Sequence, residues 1–406
     1  MSELMPVVEA QERLLELVSL HLTAEELVPL NQARGRVLSR AVISEWALPG
    51  CDNSEMDGFA VLAQDSATAS PATPVRLPVA GESRAGAAMG TLHPGTAIAI
   101  TTGAAVPRGA DAIVPVEDTG QDGEGEVLVL AAPHPGQYIR RAGEDLESGQ
   151  MMLPPGRRLR PVDIAAAAAA GGASVWVRRR PRVALLSGGD ELVQVGAVPA
   201  PHQVTNSNAA MLAAAVREAG GEVVDLGIVE DHPDALRARL TTASGCDLIL
   251  SSGGVSVGRH DHVRQVVAEV GTVEAWRIAM RPGKPLLIGT VGDTPLLGLP
   301  GNPASAAVTF ELFGRPALLA LQGATVVHRR RVALRVGEEV DTPEALETYV
   351  RVRLRETGDG IPIATLSGGQ RSSMLRSLTD ADALLIVPAG MSRAPTGTLL
   401  TGFDLS

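Results

Sequence analysis

The chain has 406 residues, too many for one ordinary core, and its 45% hydrophobic and 20% charged content is that of a folded chain of several domains. Its formal charge of -11 argues against general affinity for nucleic acid or a membrane surface, which needs many phosphate contacts from clustered cations, so an anionic ligand must meet a local basic site. Aromatic residues make up only 2%, so the cores rely on Val, Leu, Ile and Ala; Cys51 and Cys246 stand far apart without metal-ligand spacing, which fits a reducing cytosol better than a disulfide framework.

The N-terminal "MSELMPVVEAQERLLELVSLHL" has no basic segment ahead of an apolar run, unlike a secretory leader. Val7, Leu14, Leu15, Val18 and Leu22 recur at helical spacing opposite Glu9, Glu12 and Glu16, which predicts an amphipathic helix over 7–22. A second short helix is expected over 31–40. From 46 to 144, runs such as "TAIAITTG" and "DAIVPVE" alternate with Pro/Gly turns, the texture of a β-rich domain. The Ala-rich "IAAAAAAGGASVWV" at 164–177 is shorter than a membrane span and reads as a buried helix running into a strand.

Beyond it the pattern alternates strand and helix. "RVALLS" (182–187), "EVVDLGIV" (222–229), "DLILSSGG" and "PLLIGTV" read as strands. "NAAMLAAAVREAG" (208–220), "DHPDALRARLTTAS", "HVRQVVAEV" and "NPASAAVTFELFGRPALLALQG" read as helices. This alternation is the signature of a doubly wound α/β domain with a mainly parallel sheet, whose ligand sits beyond the carboxyl ends of the strands. From 328 onward short strands return, "ETYVRVRLRE", "IPIATL" and "ALLIVPA", forming a C-terminal β domain.

Polar residues collect where the α/β strands end: Ser187 to Glu191, then Glu230 and Asp231, then Ser251, Ser252, Gly253, Gly254, Ser256 and Gly258. Glycines let backbone N–H groups approach an anion and serines add hydroxyl donors, although a tight turn that binds nothing has the same composition. In "GLPGNPASAAVTFEL" Asn302 suits a helix cap and Pro303 the first turn, either as plain helix initiation or as an anion site with Ser305 adding a hydroxyl. Asp190, Glu191, Asp231 and Asp261 lie on loops at the same end. Such hard oxygen ligands suit Mg²⁺, which uses one or two carboxylates beside phosphate, while Asp231 alone also reads as a helix cap. His260 and His262 are given no role. Of the 35 Lys and Arg residues only Lys284 is lysine, held in "RPGKP" between Gly283 and Pro285. A compact ammonium fits a tight place beside a small oxyanion better than a guanidinium does.

Together these segments resemble the molybdopterin molybdenumtransferase family, which includes MoeA and the gephyrin E-domain. The resemblance runs over nearly the whole chain in the family's order. It is carried by "LPGCDNSEMDGFAV" (48–61), "ITTGAAVPRGADAIVPVED" (100–118), "IRRAGEDLESGQ" (139–150), "RPRVALLSGGDEL" (180–192), "TNSNAAML" (205–212), "SSGGVSVGRHD" (251–261), "MRPGKPLLIG" (280–289) and "GLPGNPASA" (298–306). It implies an elongated N-terminal domain from 1–45 and 145–177, an inserted β-rich domain at 46–144, an α/β molybdopterin-binding domain at 178–327 and a small β-barrel domain at 328–406. It further implies a cytoplasmic homodimer whose active cleft lies between the α/β domain of one subunit and the N-terminal domains of the other.

The implied reaction takes adenylylated molybdopterin and molybdate, releases AMP with Mg²⁺, and leaves molybdenum on the dithiolene. Asp57, Asp145 and Lys284 match the catalytic positions. Thr102, Glu191, Asp231, Gly253, Gly254, Ser256, Arg277, Arg281, Pro300, Pro303, Ser305, Arg351 and Ser372 match substrate-binding positions, and Asp190, Glu191 and Asp261 the metal site. A pterin adenylyltransferase and recipient molybdo-enzymes are the transient partners implied. Arg277 and Arg281 stand where the family often has lysine, Gly188 replaces a threonine, and Arg259-His260 replaces a commonly acidic or aromatic pair. A pterin adenylyltransferase of related fold and a non-catalytic scaffold are the two other readings. The two flanking domains argue against the first, and the lack of a long linker against the second.

Overall fold

The computed structural model describes residues 4–121, 125–255 and 262–405. At its centre is a six-stranded sheet in the order Glu222–Val229, Arg182–Gly188, Leu248–Ser252, Thr294–Leu299, Leu287–Val291, Gly271–Trp276. The first four strands are parallel and the two pairings beyond them antiparallel, so of the six only Leu287–Val291 runs against the others and the expected mainly parallel sheet carries an antiparallel edge. Successive residues of a strand face opposite sides. Val183 and Leu185 accordingly enter one core with Leu212, Val216 and Phe313, while Ala184 and Leu186 enter the other with Leu236, Leu240 and Val266. Covered on both faces, the central strands must be apolar throughout, which is why they read as unbroken runs.

The helix Val7–Ser19 buries Val7, Ala10, Leu14 and Val18, and it does so in the α/β core rather than within the small N-terminal domain. Its partner is the long helix Pro303–Leu321, whose Phe310–Gly314 turn is π-helical. Pro316 has no N–H to give the carbonyl four residues back. Gln11 Nε2 donates to that carbonyl, Leu312 O, at 2.8 Å, so the first helix completes a hydrogen bond the second cannot make. Among the described residues this is the one helix long and apolar enough to cross a membrane, and 78% of the apolar window is buried in the core.

The small N-terminal region pairs Glu25–Pro29 with Ser174–Arg178 and packs Val28, Leu38, Leu153, Leu159 and Val177 together. The helix expected over 31–40 is only the single turn Leu30–Gln32. Gly35 at φ +75° turns the chain, and Arg36 points inward to Glu26 and to Arg178 O. The Ala-rich segment does run from a helix, Pro161–Ala169, into a strand, but only Asp163 and Ala167 of that helix are buried. Alanine forms helix well without burial, which corrects the reading of a buried helix.

The β-rich region is a six-stranded sheet ordered Ala112–Pro115, Gly58–Val61, Ala97–Ile100, Val75–Ser83, Glu126–Val129, Thr119–Gln121. At the C-terminal end Glu347–Arg355, Ile363–Leu366, Val332–Val336, Leu399–Asp404 and Ala383–Val387 follow one another around a barrel, closed where the last pairs with the first. Closure removes the exposed edges that a small sheet would otherwise present.

Candidate active site at the strand ends

The parallel strands end in a cavity of about 600 Å³. Its wall includes Gly188, Gly189, Glu191 and Asp231 from the first two strand ends, Ser252, Gly253 and Gly254 from the third, and Pro300 and Pro303 from the fourth. Gly253 has φ +92°, and a Cβ there would lie 2.4 Å from Gly188 O. Its N–H donates to Leu299 O at 3.0 Å, so three strand ends are drawn together at a point only glycine can occupy.

The helix Ser207–Glu218 starts at the same place. Asn206 caps it by accepting from Ala209 N at 3.2 Å, and the same oxygen accepts from Ser187 Oγ at 3.3 Å. Asn208 Nδ2 donates to Ser252 Oγ (2.9 Å) and Gly301 O (2.8 Å). Neither asparagine stood out as a site residue in the sequence. The signal available was an Asn-x-Asn at the start of the helix predicted between the first two strands of the α/β unit.

Glu191 and Asp231 both line the cavity, whereas Asp190 turns aside and accepts from the Asp231 backbone N–H at 3.0 Å. Asp231 is not the cap of the helix Pro233–Thr241; His232 is, through Nδ1. Asn302 makes no side-chain cap hydrogen bond, so its side chain is left to the cavity it lines. Among the described residues no group of three His, Cys, Asp or Glu converges as a metal site. Ser256 and Asp261 lie outside the described residues.

The basic cluster sits against one wall. Pro285 lines the cavity next to Lys284, and the strand Met280–Arg281 pairs with Glu347–Thr348, bringing the "RPGKP" turn beside the strand that bears Arg351. Gly283, at φ +113°, would place a Cβ 2.4 Å from Thr309 Cγ2, so this turn is pressed onto the long helix. Arg351 is completely buried. Its Nε donates to Ser377 Oγ at 2.7 Å and its Nη2 to Gly369 O and Arg371 O at 3.1 Å, while Nη1 is enclosed without a partner. Burial, and then the like charge of Arg281, pushes its guanidinium down to about 10. Among the described residues no carboxylate pairs with Arg281, Lys284 or Arg351. Two uncompensated cations on this turn, Arg281 and Lys284, with Arg351 on the strand beside it, are an electrostatic vacancy for an oxyanion. Ala304 N donates to Ser372 O at 3.0 Å and ties the helix start to the barrel, so Ser373, not Ser372, reaches the cavity wall.

Residues 5–171 match the MoeA N-terminal region (domain I and II), 184–320 a probable molybdopterin binding domain and 333–401 the MoeA C-terminal region (domain IV). Molybdopterin molybdenumtransferase 2 of Mycobacterium tuberculosis is 40% identical over 388 residues, covering 93% of this chain and 95% of that protein. The chain belongs to the molybdopterin molybdenumtransferase (MoeA) family. The enzyme of that name from Nostoc is 39% identical over 92% of this chain and 87% of its own length. Two solved structures of the molybdopterin biosynthesis MoeA protein of Pyrococcus horikoshii superpose with TM-scores of 0.78 and 0.86 at 30% and 26% identity. They cover 100% and 99% of this chain and 100% of their own.

Not every position matched to MoeA motifs reaches the cavity. Ser305 is buried in the first turn of the long helix, and Arg277, at φ +69°, lies 5.5 Å from the ring of Trp276; neither lines it. Asp57, Thr102 and Asp145 belong to the N-terminal half. There Asn53–Ser54 pairs with Ile139–Arg140, Gly103 N donates to Ser54 O and Asp145 N to Leu48 O, which gathers three MoeA motifs on one exposed patch. Asp57 Oδ1 accepts from Thr102 N at 2.6 Å and Thr102 Oγ1 at 3.0 Å, and these bonds hold its carboxyl below the usual range. None of the three lines the cavity of its own chain.

Proposed function

We propose that the chain inserts molybdenum from molybdate into adenylylated molybdopterin, releasing AMP. The observation that carries this reading is the adjacency of two subsites. A glycine-walled cavity of about 600 Å³ is large enough for a heterocycle and its phosphates, and uncompensated cations lie at its side. The backbone at Gly253 and Gly254 and the start of the long helix face phosphate oxygens. Lys284, Arg281 and Arg351 hold the small tetrahedral oxyanion alongside. With both reactants held in one place, proximity and orientation supply much of the rate, and no covalent enzyme nucleophile is needed. Glu191 and Asp231 are hard oxygen donors on a wall that has no His or Cys among the described residues, a donor set that suits Mg²⁺ beside phosphate. Bound there, the ion would supply Lewis-acid polarisation of the phosphoanhydride.

Asp57, Thr102 and Asp145 complete this site from a second copy of the chain. Two observations support the homodimer: those residues form an exposed patch away from their own cavity, and the N-terminal region exposes Leu20, Leu22, Leu27, Ile43, Val162 and Trp176. Such apolar exposure on a small domain marks a contact surface. The test is AMP release from adenylylated molybdopterin with Mg²⁺, with and without molybdate, beside Lys284→Ala. Molybdate-dependent release that is lost in the variant is expected. No release under any condition would overturn the reading.

A further inference from the structure

Trp276 ends the edge strand Gly271–Trp276, and its side chain packs against the core that holds Val255, Val263 and Leu287. Its indole Nε1 donates to Val255 O at 3.0 Å. Two guanidiniums lie by the ring, Arg264 at 4.2 Å and Arg277 at 5.5 Å from its centroid, both within the range of cation–π attraction. Val255 is the third residue of the turn that leaves the strand Leu248–Ser252, and Gly253, Gly254 and Val255 all line the cavity. Each of the three is held by a different element. Gly253 N donates to Leu299 O at 3.0 Å, Gly254 O accepts from Val263 N at 3.3 Å, and Val255 O accepts from the indole. Of these three bonds only the last comes from a side chain, so it alone depends on which residue stands at the donor position. Gly254 is half-buried on the cavity wall, and its N–H meets no acceptor among the described residues.

We propose that Trp276 is a positioning residue for substrate: its indole N–H holds the Gly253–Val255 turn in the conformation that meets the phosphates of the adenylylated pterin. The inference rests on reading the cavity as the site of that substrate. Two successive glycines, at φ +92° and +70°, have little conformational preference of their own, so the backbone between them is pre-organised only as well as its tethers hold it. Leu299 fixes the near end of the turn and Trp276 the far end. Donors fixed in advance bind an anion without first being ordered, and that advantage is lost when one tether goes. The same assignment gives Arg277 a place. It matches a substrate-binding position yet stands off the cavity, in a left-handed conformation that a residue with a Cβ rarely adopts. It acts through the ring, since its guanidinium and that of Arg264 steady the indole that holds the turn.

The experiment measures turnover of adenylylated molybdopterin by Trp276→Phe, by Arg264→Gln and by a protein carrying benzothienylalanine in place of Trp276, reading KM for each substrate, kcat and the unfolding midpoint. Benzothienylalanine keeps the fused rings and lacks the N–H, so it isolates the hydrogen bond from packing should Trp276→Phe fold poorly. Expected is a rise of about tenfold in the KM for the pterin in both proteins altered at Trp276, the size of one lost hydrogen bond, with the KM for molybdate unchanged. Arg264→Gln leaves the N–H in place and loosens only the ring, so it should raise the KM for the pterin by about twofold. An unmoved KM for the pterin in the benzothienylalanine protein, or parallel rises in both KM values, would reduce Trp276 to a packing residue and overturn the proposal. A wild-type protein that neither binds nor turns over the pterin would instead overturn the reading of the cavity itself, and the proposal with it.

Discussion

Arg351 gives the sharpest test of the oxyanion site. Its guanidinium is fully enclosed, and burial together with Arg281 lowers it from its ordinary value to about 10. Each tenfold change in a proton equilibrium is worth about 1.4 kcal/mol, so keeping this charge in place costs the folded state about 3 kcal/mol. For a base lowered on folding, that cost is present in full at neutral pH, where both states are charged, and is relieved as the pH rises through about 10. A bound oxyanion offsets it at neutral pH by drawing the guanidinium back toward its ordinary value. Molybdate at a hundred times its Kd should then stabilise the wild type by about 2.7 kcal/mol. Arg281→Ala, at an exposed position, should raise the ligand-free unfolding midpoint and shrink the molybdate response. Arg351→Met should abolish the response. The assay is the unfolding midpoint in molybdate against chloride at matched ionic strength. Equal molybdate shifts in wild type and Arg281→Ala would refute the reasoning, and Arg281→Ala carries the test alone should Arg351→Met, stripped of three hydrogen bonds, fail to fold.

Gly253→Ala forces a left-handed residue and a 2.4 Å approach to Gly188 O, so it should lose about 3 kcal/mol, read by chemical denaturation. A loss below about 1 kcal/mol would mean the strand ends are not locked together at that point. Leu14→Ala, 1% exposed in the α/β core, should cost about 2 to 5 kcal/mol and shift the unfolding of the central domain. An unchanged central transition would separate the first helix from that core. Asp57 is held below its ordinary value by the N–H and then the hydroxyl of Thr102, so its contribution to stability is present above the unfolded carboxyl value and lost as the pH falls through the lowered one. Thr102→Ala removes only the hydroxyl. It should move the Asp57 carboxyl titration partway back toward 3.8 by NMR, and an unmoved titration would discount that bond.

The α/β unit was legible because parallel strands buried on both faces must be written as short apolar runs, and "RVALLS" and "EVVDLGIV" lie within one residue of the observed strands. The strands Gly271–Trp276, at the edge, and Thr294–Leu299, inside the sheet, are not among the expected ones, since each is short and follows the preceding element with two residues or none between them. The helix expected at 31–40 failed for a tertiary reason, the burial of Arg36 against Glu26 and Arg178 O, which no local pattern announces. At the site, glycine turns and loop carboxylates could be named from composition. What composition could not tell was which carboxylate faces inward. Asp190 and Glu191 are neighbours, yet one is spent on a backbone N–H and the other lines the cavity. Asn208 was hidden for the same reason, its role being set by two loops far away in the chain.

Lys284 has a further consequence for chemistry at the bench. As the sole lysine, half-buried beside the cavity, it is the one side-chain primary amine in the protein. An acylating reagent has only this ε-amine and the N-terminus to react with, so a digest that separates the peptide bearing Lys284 from the N-terminal one counts modification at the anion site. The rate of that single acylation, measured with and without molybdate, reports occupancy of the subsite without turnover, a fluorophore or a substitution. A protein that writes almost every cation as arginine has in this way left its own site with a unique address.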